Sequence, residues 1–343
     1  MKYKVSVIIP CYNAENTIKR SINSVINQTL GFENIELLLY DDASTDNTPD
    51  IIQEFSDEYD NILPILSKNN SGKPSKGRNV CIEKASSEFV MFMDNDDEYD
   101  KDICKRLYNE ITDTNSDLVT CSFINKDELD NIKEISDYVP EKAMVDDEKL
   151  IFKNLNLFYL DNTYVWNSIF KKDVIVNNKI KFPENEFAED VSFTIDYKLH
   201  ISKLIYLKDY FGVYRHVKND SLSNSFNLKD LIDIHEITVG LCNKLKSHNY
   251  PCNYAFKWHV PLTLVRIYQS DFLNYPKKEV IGFLKELRKF EIEFDVNFSY
   301  DRIMNMINYF IMHENYNMVF FLLKQLRRTY KSKSIKRIYR LFK

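Results

Sequence analysis

Between residues 5 and 123, short apolar runs rich in β-branched side chains alternate with amphipathic stretches, and this alternation restricts the fold more than any other feature. Segments 5–9, 35–40, 62–66, 89–93 and 118–123 read as strands, nearly apolar throughout. Segments 17–26, 50–55, 77–84 and 101–111 carry apolar residues at helical spacing, as in Ile18, Ile22, Val25 and Ile26. Strands apolar on both faces and separated by helices predict a mainly parallel sheet covered on both sides. The expected class is α/β with a Rossmann-like doubly covered sheet.

In such sheets ligands bind beyond the carboxyl ends of the strands. The polar residues stand there. Pro10-Cys-Tyr12-Asn13 follows the first run, Asp41-Asp42-Ala-Ser-Thr-Asp46 the second, Asn69-Asn70-Ser-Gly72 the third, and Asp94-Asn95-Asp96-Asp97 the fourth. Four strand ends bring acids, amides and a glycine to one edge.

The 343 residues suffice for roughly two domains of ~150 residues. From about residue 227 the rhythm changes to helical periodicity over 228–245, 254–273, 277–290, 303–312 and 318–326, rich in aromatics and leucines. The Ser- and Asn-rich stretch 219–227 marks the boundary. Residues 1–225 are expected to form the α/β domain, with a ligand-binding half at 1–125 and a second half at 126–225. Residues 226–343 form an all-helical region.

Several functions are excluded. Among the six glycines no two stand two apart, so no G-x-G-x-x-G fingerprint exists. Gly72-Lys-Pro-Ser-Lys-Gly77 has P-loop spacing, but Arg78 and Asn79 stand where Lys and Ser or Thr are required. The six cysteines include no C-x-x-C pair, which predicts reduced core thiols in a cytoplasmic protein and no structural zinc. No apolar run approaches the ~18–20 residues of a membrane span. Net charge is −5, yet 327–343 holds eight basic residues and no acid, which leaves the rest of the chain strongly acidic. An acidic body argues against nucleic acid as partner.

The carboxylates carry the chemistry. Asp94 and Asp96, two apart past a strand, leave on the same side if the backbone is still extended. Two hard oxygen donors suit Mn²⁺ or Mg²⁺ shared with phosphate oxygens, and an acidic loop capping the next helix is the competing reading. Asp42 either caps a helix or accepts the ring N–H of a pyrimidine. Glu189-Asp190 opens a helical pattern, where the helix N-terminus favours the anionic carboxylate. On that reading Asp190 is ionised at neutral pH and serves as a base, or both acids merely complement the dipole.

These separately spaced motifs resemble family 2 glycosyltransferases over about residues 3–222. The resemblance implies the GT-A fold and transfer of a hexosyl or N-acetylhexosaminyl group from a UDP-sugar to an acceptor hydroxyl with inversion. The loop 70–79, the Ala188-Glu189-Asp190 segment and the helical C-terminal region look most like bacterial wall teichoic acid enzymes, with capsule enzymes close behind. It further implies that Pro10, Tyr12, Asn13 and Asp42 hold the nucleobase, while Asn70 and Arg78 contact the nucleotide. Asp94 and Asn95 would meet ribose or sugar, Asp96 the metal, and Asp190 the acceptor proton. Glu189, Trp166 and Arg215 fall on the acceptor or sugar side. Family members commonly carry Ala or Pro where this chain has Gly77.

Read from the residues alone, Trp166 is equally a buried aromatic and Arg215 equally a surface ion pair. The implied acceptor is a glycan, a polyol-phosphate polymer or a lipid-linked glycan. The basic stretch 327–343 repeats apolar residues on one helical stripe. That pattern suits an anionic membrane surface, a polymer, another subunit or the acidic body itself. The expected location is cytoplasmic, peripheral on the inner membrane face, and the aromatic helices suit a homo-oligomer. A non-catalytic sugar-nucleotide-binding protein and a nucleotidyltransferase are the competing functions.

Overall fold

The computed structural model describes residues 2–127, 131–135, 143–145, 164–184, 189–216, 227–249, 252, 259–269, 275–296 and 302–330. The chain divides into two compact units, 1–218 and 219–343.

The first unit is built on one mixed sheet. In chain order its elements begin with β1 (Val5–Cys11), α1 (Ile18–Ile26), β2 (Ile35–Asp41), α2 (Thr48–Glu58), β3 (Ile62–Leu66) and α3 (Pro74–Lys84). There follow β4 (Phe89–Phe92), β5 (Glu98–Tyr99), α4 (Ile103–Thr114), β6 (Leu118–Lys126), β7 (Ile132–Ile135) and β8 (Ala143–Val145). β9 (Ser168–Lys171), α5 (Lys172–Asn177), α6 (Glu189–Lys198) and β10 (Leu204–His216) complete it. The strand order is β3-β2-β1-β4-β9-β6-β10-β5. β1 pairs in parallel with both β2 and β4, and β2 with β3. β9 runs antiparallel between β4 and β6.

Every position of β1 and β2 is buried, as strands covered on both faces must be. Val5, Val7 and Ile9 join Ile35, Leu37 and Leu39 in one core with Ile18, Ile22 and Val25 of α1. The alternate residues Ile8, Leu38 and Tyr40 are buried too. At roughly 25 cal/mol per Å² of apolar area removed from water, these two strands anchor the unit. Their carboxyl ends point to the same edge as that of β4.

The strands and helices of residues 5–123 stand where the alternation places them, with shifted ends. α3 begins at Pro74 rather than 77, because proline's fixed φ suits a helix's first turn and its missing N–H is no loss there. β9, with four residues, carries too little periodicity to be legible beforehand.

The second unit holds α7 (Leu228–Ser247), α8 (His259–Gln269), α9 (Lys277–Glu293), α10 (Arg302–Met312) and α11 (Tyr316–Tyr330). α7 opens with a capping box between Asn227 and Asp230. His235 and His259 lie 3.0 Å apart, Nδ1 to Nε2, beside Phe283 and Phe290. Burial lowers their pKa values to about 4 and about 3, so both are neutral packing residues. All six cysteines are free and buried. Among the described residues no helix is long and apolar enough to cross a membrane. The expected boundary at 219–226 and the basic stretch 331–343 lie outside the described residues.

Candidate active site

The ends of β1 and β2 are tied to each other. Asn13 and Ala43 adopt left-handed backbone at φ 47° and 59°, strain that clusters where loops are held for function. The Asn13 N–H donates to Ser44 Oγ (2.9 Å), and Asn13 Oδ1 accepts from the Thr45 N–H (2.9 Å). The Asn13 Oδ1 thus joins the two loops. Asp42 is 7% exposed; its Oδ2 accepts from Ser71 N–H, Ser71 Oγ and Gly72 N–H at 2.8, 2.8 and 3.2 Å. Its Oδ1 is buried and has no hydrogen-bond partner among the described residues. A buried acceptor left open is costly, and it marks a place for a donor. Tyr12, 47% exposed, stands next to this loop pair in sequence. Asn70 turns its Oδ1 back onto the Gly72 N–H at 2.6 Å, where Gly72 has φ 78°.

After β4 the backbone does not remain extended. Asn95 and Asp96 form a turn, with the Asp97 N–H donating to the Asp94 carbonyl at 3.2 Å. The expectation that Asp94 and Asp96 leave on one side of a strand is therefore corrected. α1 clamps this turn through Arg20 Nη2 to the Asp96 carbonyl (2.7 Å) and Ser21 Oγ to the carbonyls of Asn95 and Asp97 (2.9 and 2.8 Å). Asn95 Nδ2 donates to the Pro10 carbonyl (2.9 Å) and fastens the turn to β1. Buried Asp97 has its carboxyl pushed well above the usual range by desolvation and by Asp94 and Asp96, against the pull of Arg215. The carboxylate oxygens of Asp94 and Asp96 are donors of the type a hard divalent cation takes. Among the described residues no three acidic, His or Cys side chains converge as a metal-ligand set.

Arg78, on α3 and 4% exposed, lies at the centre. Its Nη2 meets Asp94 Oδ1 at 2.8 Å and its Nη1 meets Glu189 Oε1 at 2.9 Å. The resemblance implied a nucleotide contact; in the structure both terminal nitrogens engage carboxylates. Glu189 and Asp190 occupy the first turn of α6. Asp190 Oδ1 accepts the Val191 N–H at 2.8 Å. Its carboxyl is nevertheless raised to about 7, first by desolvation and then by Glu189, with Arg78 opposing. Asp190, expected to be ionised at neutral pH, is therefore ionised there in part: loss of water outweighs the helix end.

Trp166 is 3% exposed, stacked on Tyr164 with ring centroids 4.7 Å apart and edge-on to Phe123 at 4.7 Å. The Arg215 guanidinium lies 5.0 Å from the Trp166 ring centroid, and its Nε is 4.0 Å from Asp97 Oδ2. Trp166 is thus a core aromatic that holds Arg215. Sequence reasoning missed Arg20, Ser21, Asn79 and Phe182. Asn79 stood inside the Gly77-Arg78-Asn79 triplet and so carried a signal; the others act across long separations and carried none.

Residues 6–172 match the family model described as glycosyl transferase family 2. The chain is 32% identical over 224 residues to poly(ribitol-phosphate) beta-glucosyltransferase of Bacillus spizizenii, covering 63% of this chain and 33% of that protein. It is 33% identical over 233 residues to poly(ribitol-phosphate) beta-N-acetylglucosaminyltransferase TarP of Staphylococcus aureus, covering 65% of each. The chain thus spans about a third of the first relative and just under two thirds of the second. Staphylococcus aureus TarS 1–349 in complex with UDP-GlcNAc shares the fold with a TM-score of 0.73 at 20% identity, over 95% of this chain and 92% of that one.

Proposed function

We propose that the protein, whose residues 6–172 match the family model described as glycosyl transferase family 2 and whose fold is shared with TarS, moves a sugar from a UDP-sugar to an acceptor hydroxyl with inversion. The observation that carries the reading is the convergence of Asp94, Glu189 and Asp190 around Arg78, with the open Asp42 Oδ1 at the ends of the same sheet. The proposed acceptor is a polyol-phosphate polymer of the teichoic acid type, the substrate class in the names of the two relatives.

In this reading Asp42 Oδ1 accepts the ring N–H of uracil, and Tyr12 covers the base. Asp94 and Asn95 face ribose and sugar. Asp96 would hold Mn²⁺ or Mg²⁺ together with diphosphate oxygens; when bound, the cation supplies positive charge to the departing diphosphate. Asp190 takes the acceptor proton as the new C–O bond forms at the sugar's anomeric carbon and the bond to the phosphate oxygen breaks, releasing UDP. The basic stretch 327–343 is proposed to meet an anionic membrane surface on the cytoplasmic side, tested by liposome pelleting of the chain truncated after Lys331. The C-terminal helices are proposed to form a homo-oligomer, read by sedimentation.

UDP release from UDP-glucose and UDP-GlcNAc with Mn²⁺ and a ribitol-phosphate oligomer tests the main reading. Asp96→Ala and Asp190→Asn are each expected to lose at least about 10²–10⁴-fold in turnover with unchanged cooperative unfolding. Near-normal turnover of Asp190→Asn would remove that residue as base. Donor binding without transfer to any acceptor would favour a binding protein.

A further inference from the structure

We propose that Arg78 and Asn79, adjacent on α3, are positioning residues that lock the helix carrying Asp190 against the loop carrying Asp94. The proposal rests on the reading of Asp190 as the base. Two independent sets of contacts carry it. Arg78 spans the gap with one guanidinium, 2.8 Å to Asp94 and 2.9 Å to Glu189, residues 16 and 111 positions away in sequence. Asn79 exchanges two hydrogen bonds with the backbone of Phe182: Nδ2 donates to the carbonyl at 2.8 Å and Oδ1 accepts the N–H at 2.9 Å.

The two contacts reinforce each other through aromatic packing. The Phe182 ring lies under the Arg78 guanidinium at 5.2 Å, stacks on Phe193 of α6 at 3.9 Å with an interplanar angle of 3°, and meets Phe92 edge-on at 5.2 Å. Phe193 stands three positions beyond Asp190, so it shares a helix face with the base. α3 thus grips α6 at its first turn through Glu189 and one turn later through Phe193. A planar two-pronged cation suits this task because each prong sets a direction as well as a charge.

The groups facing Asp190 are Glu189 and the Val191 N–H on its own helix, Arg78 from α3, and Asp94 from the loop after β4. Glu189 disfavours the ionised form and Arg78 favours it. The lock therefore leaves an electrostatic signature that a purely structural role lacks. Removing either partner of one ion pair moves the base in opposite directions.

The test is the pH profile of kcat at saturating UDP-sugar and ribitol-phosphate oligomer, paired with a carboxyl ¹³C NMR titration of Asp190 in the full chain without substrates. Arg78→Gln is expected to move the acid limb to higher pH by about one unit, and Glu189→Gln to move it lower by a similar amount. Arg78→Lys restores the limb because it keeps the charge, while kcat stays about 10–100-fold down because the fork is lost. Asn79→Ala lowers kcat by a comparable factor with the limb in place and the donor KM unchanged. Limbs moving in the same direction in Arg78→Gln and Glu189→Gln, or not moving in either, would overturn the proposal. So would an Arg78→Gln protein whose one change is a raised donor KM. If Arg78→Gln does not fold, Glu189→Gln and Asn79→Ala still decide. If Asp190→Asn keeps its turnover, the base assignment falls while the NMR titration still reads the lock.

Discussion

Tyr40 and Gly77 are in mutual contact so close that a Cβ on Gly77 would stand 2.6 Å from Tyr40 Cδ1. Tyr40 is the buried penultimate residue of β2, and Gly77 lies on α3 directly before Arg78. The departure from the Ala or Pro common at this position thus has a local cause: the tyrosine ring occupies the volume. Gly77→Ala is expected to destabilise the protein by about 1–3 kcal/mol through overpacking. Urea denaturation measures it. Adding Tyr40→Leu should return part of the loss; no return would mean that the ring is not the obstacle.

The raised Asp190 carboxyl gives turnover a pH dependence. With the group near 7 and the ionised form needed to accept a proton, kcat should rise from pH 6 to pH 8. Folding responds with the opposite sign. The carboxyl titrates near 4 in the unfolded chain and about 7 in the fold. Its contribution to stability is therefore complete below pH 4 and lost as pH rises through 7. The melting temperature of Asp190→Asn relative to the parent should climb between pH 4 and pH 8. A constant difference would contradict the raised value.

Asp42 predicts base selectivity. Its open Oδ1 is a buried acceptor, whereas Asn can turn an N–H toward the base. Asp42→Asn should weaken UDP by about 10–100-fold, as expected for a hydrogen bond to a charged group. Cytosine offers an acceptor at the equivalent ring nitrogen, so CDP should lose less. Calorimetry with both nucleotides and Mn²⁺ decides, and equal losses would place the base elsewhere.

Trp166 should act on stability rather than on the acceptor. It is buried between Tyr164, Phe123 and Arg215, so Trp166→Ala is expected to cost about 3–5 kcal/mol. Trp166→Phe should leave the acceptor KM unchanged while lowering the melting temperature. A large rise in acceptor KM in Trp166→Phe would restore a sugar-facing role.

Much of the first unit was legible because its signals are local. Val5–Cys11 and Ile35–Asp41 are apolar at almost every position, which leaves a doubly covered strand as the consistent reading. Acids at strand ends follow from the same pattern. Illegible were the contacts that close across 76 to 111 residues: Ser21 on the Asp94–Asp97 turn, Asn79 on Phe182, and Arg78 on Glu189. No periodicity announces them, since each partner is ordinary within its own segment.

The alternation of apolar runs with amphipathic stretches by itself determined that this chain builds a mainly parallel covered sheet and presents Asp42, Asp94 and Asp96 at one edge. Hydrophobic burial and chain direction suffice for that. The state of Asp190 and the partners of Arg78 were decided by the tertiary structure alone. Desolvation and neighbouring charge depend on what packs against a side chain, so the helix end that favours an ionised Asp190 was outweighed by burial and Glu189. For the same reason Arg78, which the motif assigns to nucleotide, lies buried between Asp94 and Glu189.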